Sequence, residues 1–147
     1  MQIAPAYENV SHILLVDDDR TTLQIMKAVL ESPERTLDLV QDGEAALAAF
    51  RARRPDVVIS DIGLPGMNGL SLLHAVRQLD LDVPVLLVTG APELRSAMEA
   101  VRLGALSYLA KPLAPVELRR EVTRAVHLSR LARLKRELLE LSGRTDG

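Results

Sequence analysis

The feature that most constrains this chain is a set of apolar runs that each end in a polar residue. His12-Ile13-Leu14-Leu15-Val16 runs into Asp17-Asp18-Asp19, Asp56 to Ser60 into Asp61, and Val83 to Val88 into Thr89. A strand with one wet face alternates apolar and polar residues. A strand covered on both faces reads as an unbroken run, and such strands belong to parallel sheets flanked by helices. Two further strand candidates, Leu37 to Val40 and Leu106 to Ala110, complete a set of five.

Helical patterns separate them. Thr21 to Glu31 sets Leu23, Met26, Ala28, Val29 and Leu30 largely along one side. Gly43 to Arg53 is Ala-rich, Leu70 to Leu79 repeats apolar residues three and four apart, and Glu93 to Leu103 ends at Gly104, a natural C-cap. Pro33, Pro55, Pro65-Gly66, Asn68-Gly69, Pro84 and Pro112 fall between these elements or at their edges. Five rounds of strand then helix predict an α/β fold with an open parallel sheet and helices on both faces. Right-handed crossovers leave few topologies, of which the flavodoxin-like order 2-1-3-4-5 is the expectation. With one Phe, two Tyr and no Trp, the core must be built from Leu, Val, Ile and Ala.

The last helix is too long for this frame. Pro115 to Leu141 contains no breaker, which gives roughly 40 Å of helix where about half would cover the sheet. The chain therefore divides into a disordered lead-in (1–10), one domain (11–127) and a helical extension or linker (128–147). Leu131, Leu134, Leu138 and Leu141 follow the 3-4-3 spacing of a coiled-coil seam, but His127 and Arg124 interrupt it upstream. A dimer seam or a linker to an output domain is the expectation for this segment.

Charge and composition exclude several classes. The chain carries net −5 through residue 114 and +3 beyond it. An acidic body with a mildly basic tail lacks the basic stripe of a nucleic-acid binder, so no direct nucleic-acid binding is expected. There is no cysteine, hence no disulfide or thiolate metal site. No signal peptide is read at the N-terminus and no run approaches the roughly 18 apolar residues of a membrane span, so a cytoplasmic location away from membranes is expected. The three histidines are scattered and read as surface or satisfied-core residues.

The polar residues gather elsewhere. Asp17, Asp18, Asp61, Thr89 and Lys111 all fall at the carboxyl ends of strands, where open α/β sheets bind ligands. In the order 2-1-3-4-5, strands one and three flank the switch point, which brings the three aspartates together. Oxygen-only ligands favour Mg²⁺, a cation that often bridges carboxylate to phosphate. Lys111 offers a point charge to a phosphoryl oxygen, Thr89 a hydroxyl, and a carboxylate can itself be the nucleophile. Singly, each residue has a plainer reading: Asp19 as a helix cap, Asp61 as turn chemistry, Lys111 as a solvated lysine, Thr89 as a capping hydroxyl. Their convergence favours a phosphoryl site.

In order and spacing these residues resemble the response-regulator receiver family. The matching segments are Leu15 to Asp19, Asp56 to Gly69, Val88-Thr89-Gly90 and Tyr108 to Pro112, with Asp42 to Leu47 at the second strand-to-helix junction. The resemblance implies Asp61 as phosphoacceptor, Asp18 as a direct Mg²⁺ ligand, Asp17 as holder of a metal-bound water, and the backbone carbonyl of Gly63 as a further ligand. It implies Thr89 and Tyr108 as a switch pair, Lys111 as partner of the phosphate, and a cis Lys111-Pro112 bond. Gly63 and Ala91 are smaller than the residues many relatives carry there.

A signalling switch is therefore expected, not an enzyme beyond self-phosphorylation and self-dephosphorylation. A sensor histidine kinase or phosphotransfer protein would donate the phosphoryl group, and a partner or an output domain beyond residue 147 would receive the signal. Homodimerisation through the fourth helix, fifth strand and fifth helix, or through the C-terminal helix, is a further expectation. The alternatives are a Mg²⁺-dependent phosphohydrolase working through an aspartyl phosphate, and an unphosphorylated docking module.

Overall fold

The computed structural model describes residues 10–145. Most of the lead-in expected over 1–10 lies outside the described residues. Ten elements alternate along the chain: β1 (Ser11–Val16), α1 (Arg20–Leu30), β2 (Arg35–Val40), α2 (Gly43–Ala52), β3 (Val57–Asp61), α3 (Gly69–Leu79), β4 (Val85–Thr89), α4 (Leu94–Arg102), β5 (Ser107–Ala110) and α5 (Pro115–Thr145). The sheet has the order β2-β1-β3-β4-β5, with every neighbouring pair parallel. Each element is found within two residues of its expected bounds, except that α5 continues unbroken to Thr145.

Continuous apolar runs mark the strands that are covered twice. β1, β3 and β4 are buried along their whole length, whereas the edge strands β2 and β5 are half-buried. Successive side chains of a strand point to opposite faces, so the core splits into two clusters. Ile13, Leu15, Val57, Ile59, Leu86 and Val88 face α1 and α5. Leu14, Val16, Val58, Val85 and Leu87 face α2, α3 and α4, around Phe50. Full burial of each such aliphatic side chain is worth about 1.5–3 kcal/mol. On α1 the buried stripe is Leu23, Met26 and Leu30. Ala28, expected on that side, is exposed, because the helical repeat points it away from the stripe of Leu23, Met26 and Leu30.

Helix starts follow local chemistry. The side chains of Asp19, Asp42 and Asn68 accept hydrogen bonds from the first-turn amides of α1, α2 and α3. Helix α4 differs: its N-cap, Glu93, makes no side-chain cap, and Ala100 is its one buried residue. Past its end, Gly104 adopts φ +77°, the left-handed conformation expected there.

Beyond Leu128 the long helix returns to the body through its arginines. Arg133 reaches Asp56 at 2.5 Å, and Arg136 lies 3.8 Å from Asp82. Both acids sit in loops at the amino end of the sheet. Leu131, Leu134, Leu138 and Leu141 are exposed.

Candidate functional site

The parallel register brings the carboxyl ends of β1, β3 and β4 side by side, since Val16 pairs with Ser60 and Asp61 with Val88. Asp17 follows β1 immediately, Asp61 closes β3 and Thr89 closes β4. One carboxylate oxygen from each of Asp17, Asp18 and Asp61 lies within 4.8 Å of the others. Asp17 and Asp61 are buried, at 2% and 9% exposure, while Asp18 opens to solvent.

Lys111 enters from the turn after β5. Its Nζ donates to Asp17 Oδ2 at 2.8 Å and stands 3.2 Å from Asp61 Oδ2. Burial works against the ammonium. The hydrogen bond and charge of Asp17, with Asp61 behind it, outweigh burial and hold its pKa above the ordinary lysine range. The sequence placed Lys111 at this end but gave no sign that Asp17 is its nearest partner. Three carboxylates against one ammonium leave two negative charges in excess, and all the side-chain donors are oxygens. That donor set fits a hard divalent cation such as Mg²⁺.

Backbone contacts hold the acids in place. Asp17 Oδ1 accepts from the Asp19 amide at 2.9 Å, and Asp61 Oδ1 from the Gly63 amide at 3.2 Å. Gly63 thus meets Asp61 through its N–H, a contact absent from the sequence expectation, which invoked its carbonyl. The Lys111-Pro112 peptide is cis, as expected. Thr89 Oγ1 accepts from the Ala91 amide at 3.0 Å, a local turn contact and not a helix cap, since α4 starts only at Leu94. The Tyr108 ring is half-buried against the second core cluster, and its hydroxyl reaches α4, 2.6 Å from Ser96 Oγ.

Two contributors escaped the sequence. Gly69, the first residue of α3, passes so close beneath β3 that a Cβ there would lie 2.4 Å from the Asp61 carbonyl oxygen. In the sequence it stood only in the Asn68-Gly69 turn signal and at the end of the matching Asp56 to Gly69 segment, with no sign of this close approach. Ser96 carried no signal, because its partner Tyr108 is brought to it only by the packing of β5 beside α4. His12 is buried and bonded through Nδ1 to Thr36 Oγ1 at 2.8 Å, while His74 and His127 are exposed. None of the three belongs to the site.

A family model for the response regulator receiver domain matches residues 13–123. The C4-dicarboxylate transport transcriptional regulatory protein DctD of Rhizobium meliloti is 37% identical over 126 residues, covering 86% of this chain and 27% of that protein. This chain thus spans about a quarter of that relative's length. Among solved structures, the chemotaxis protein CheY4 of Vibrio cholerae is similar with a TM-score of 0.74 and 30% identity, covering 79% of this chain and 98% of that one. The signal receiver domain of an HD domain-containing protein from Pseudomonas fluorescens gives 0.79 and 32%, covering 82% and 98%.

Proposed function

The chain belongs to the response regulator receiver domain family, and from that premise we propose that it is a phosphorylation-dependent switch carrying its phosphoryl group on Asp61. The observation that carries this reading is the excess of buried negative charge where β1 and β3 meet, answered in part by Lys111.

In the proposed reaction a carboxylate oxygen of Asp61 attacks the phosphorus of a phosphohistidine on a sensor kinase or phosphotransfer protein. An O–P bond forms, the N–P bond breaks, and its electron pair returns to the donor imidazole. Asp18, Asp61 and the Gly63 carbonyl would hold Mg²⁺, with Asp17 on one of its waters. When bound, the ion supplies positive charge to the transferring oxygens. Lys111 would leave Asp17 for a phosphoryl oxygen, which its long stem permits. Thr89 would turn its hydroxyl to another, giving up the Ala91 amide, and Tyr108 would follow. Any enzymatic activity is confined to self-phosphorylation and self-dephosphorylation at Asp61.

Residues 11–127 would form the switch and 128–147 a linker. The relatives' greater length supports an output domain beyond residue 147. The exposed leucines of α5, from Leu131 to Leu141, support pairing with a second copy, and so does the α4–β5–α5 face. Among the described residues no helix is long and apolar enough to cross a membrane. A cytoplasmic site of action fits the proposed donors.

The test is incubation with Mg²⁺ and acetyl phosphate, followed by intact mass and size-exclusion chromatography beside Asp61→Asn. A Mg²⁺-dependent, base-labile phosphoryl adduct is expected on the wild type and none on the variant. An equal adduct on both would move the acceptor elsewhere. A larger hydrodynamic size on phosphorylation is expected if the leucine seam pairs.

A further inference from the structure

Helix α4 is joined to the body in an unusual way. Ala100 is its one buried residue, while Leu94, Met98 and Val101 are 78%, 63% and 76% exposed. Little apolar area therefore holds it down, and polar contacts fix both of its ends.

The carboxyl end is fixed by one guanidinium. Arg77, on α3, donates through Nε to the Leu103 carbonyl at 3.2 Å and through Nη2 to the Gly104 carbonyl at 2.9 Å. Its Nη1 donates to the carbonyls of Asp80 and Val83, at 3.2 and 2.9 Å. A planar fork engaged on four main-chain oxygens ties the end of α4 to the start of β4 and has little freedom to move.

The amino end is held by a ring of weaker bonds. The Glu93 amide donates to Tyr108 Oη at 3.0 Å, Tyr108 Oη and Ser96 Oγ are 2.6 Å apart, and Ser96 Oγ donates to the Glu93 carbonyl at 3.1 Å. Each hydroxyl has one proton. If Ser96 gives its proton to Glu93, Tyr108 gives its own to Ser96 and accepts from the Glu93 amide, so the ring closes with every donor used. Such networks strengthen cooperatively, and Tyr108 Oη also lies 3.4 Å from the Glu93 carbonyl, a longer second contact. The tyrosine thus supplies, from another element, an acceptor for the amide of the N-cap residue itself, at a helix start where Glu93 makes no side-chain cap.

We propose that Ser96 is the latch of the switch: its hydroxyl closes the ring through which Tyr108 holds the first turn of α4, and Arg77 is the hinge at the other end. The inference rests on the reading of Asp61 and Thr89 above and adds to it the residue that receives the signal on α4. Thr89 Oγ1 holds the Ala91 amide, two residues before Glu93. Turning Thr89 toward a phosphoryl group on Asp61 frees that amide, shifts Pro92 and Glu93, and opens the ring. The first turn of α4 then swings about Arg77 and carries the exposed Leu94–Met98–Val101 stripe with it. Ser96 touches no reacting atom, so it is a positioning residue. Because coupling is reciprocal, opening the ring in advance favours the phosphoryl-bound state.

The experiment titrates Mg²⁺ and beryllofluoride, an analogue of the aspartyl phosphate, into the full chain. Wild type, Ser96→Ala, Ser96→Thr, Tyr108→Phe and Asp61→Asn are compared, and amide hydrogen exchange is followed in the same samples. Loss of one hydrogen bond predicts beryllofluoride binding about two- to ten-fold tighter in Ser96→Ala. Exchange before ligand is faster over residues 93–98 and unchanged over 102–105, and Ser96→Thr restores both values. Tyr108→Phe shifts the same way, and a Ser96→Ala/Tyr108→Phe double variant prepared alongside tightens no further, since both substitutions act on one ring. Unchanged or weaker binding in Ser96→Ala, beside a wild type that binds, overturns the latch alone. No binding to wild type, matching Asp61→Asn, overturns the phosphoacceptor reading and the latch with it.

Discussion

Three acids are paired off at one end of the sheet and three are crowded together at the other. At the amino end acids and bases match one to one: Asp56 with Arg133, Asp80 with Arg54, Asp82 with Arg136. Each of those arginine side chains is about half exposed. At the carboxyl end Asp17, Asp18 and Asp61 face Lys111 alone, and two of the three acids are buried. Paired surface charges cost little and contribute little. Unbalanced buried charge is expensive, and a fold has no architectural need of it. The difference suits the carboxyl end to the proposed phosphoryl chemistry, while the amino end is where a long helix is moored.

The largest expected effect follows from that imbalance. Mg²⁺ at about a hundred times its dissociation constant adds about 2.7 kcal/mol of stability by mass action. Asp18→Asn removes most of that gain, yet in metal-free buffer it stabilises the protein by relieving repulsion among the carboxylates. Arg133→Ala, at the other end, leaves the gain intact. Thermal unfolding of the three proteins with and without Mg²⁺ checks all of this. An equal rise in Asp18→Asn and wild type would put the cation elsewhere and break the contrast.

Gly69→Ala ranks next. Its Cβ would meet the Asp61 carbonyl at 2.4 Å and the Ile62 Cα at 2.8 Å, both backbone atoms that cannot step aside singly. Overpacking of this kind costs about 1–3 kcal/mol. The shift falls on the acceptor, so the rate of adduct formation with acetyl phosphate should fall along with the denaturation midpoint. Normal stability and rate together would mean that β3 has more freedom than this contact implies.

The gathering of polar residues at the carboxyl end was legible from sequence and the pairing at the amino end was not, for a physical reason. Asp17, Asp61, Thr89 and Lys111 each terminate an apolar run, so one rule about strand ends collects them. The pairs at the amino end join Asp56 and Asp82 to arginines far along the chain, on a helix whose direction depends on tertiary packing. The leucine spacing of 131–141 could be read, but not that Arg133 and Arg136, on another side of the same helix, face the body. Ser96 and Gly69 were missed likewise, since their partners are supplied by other elements. The exposure of Ala28 is a smaller case: an alanine signals little about which way it faces.

The two ends also differ in their response to pH. Burial, and then the charge of Arg53, lower the His12 pKa from its ordinary 6.5, with Asp38, Asp56 and the Thr36 contact pulling the other way. A folded pKa below the unfolded one means that the unfolded chain binds the proton first. The stability tied to His12 is thus complete above about 6.5 and is lost as pH falls toward the folded value. Lys111 has the opposite sign: its raised pKa contributes stability that is complete below the ordinary 10.5 and lost as pH rises through the folded value. Acid should weaken the amino end and alkali the carboxyl end. Chemical denaturation from pH 5 to 7 should show a slope that His12→Gln flattens and Lys111→Met does not.

The smallest effect is the most direct probe of the mooring. Arg133→Ala removes an ion pair whose arginine is half exposed, so a loss of about 0.2–1 kcal/mol is expected. Asp56 keeps its other partner in the variant, the His12 amide at 2.7 Å, so it is not left unsatisfied. Asp56→Ala costs more, because it also strips that amide of its acceptor. The ion-pair part is screened by salt, so the gap between wild type and Arg133→Ala should close as ionic strength rises. The Asp56→Ala deficit should close only in part. A gap that persists in high salt would mean that the stem of Arg133 packs against the body. The mooring of the long helix would then be apolar as well as ionic, and the two ends of the sheet would differ less in kind than their charges suggest.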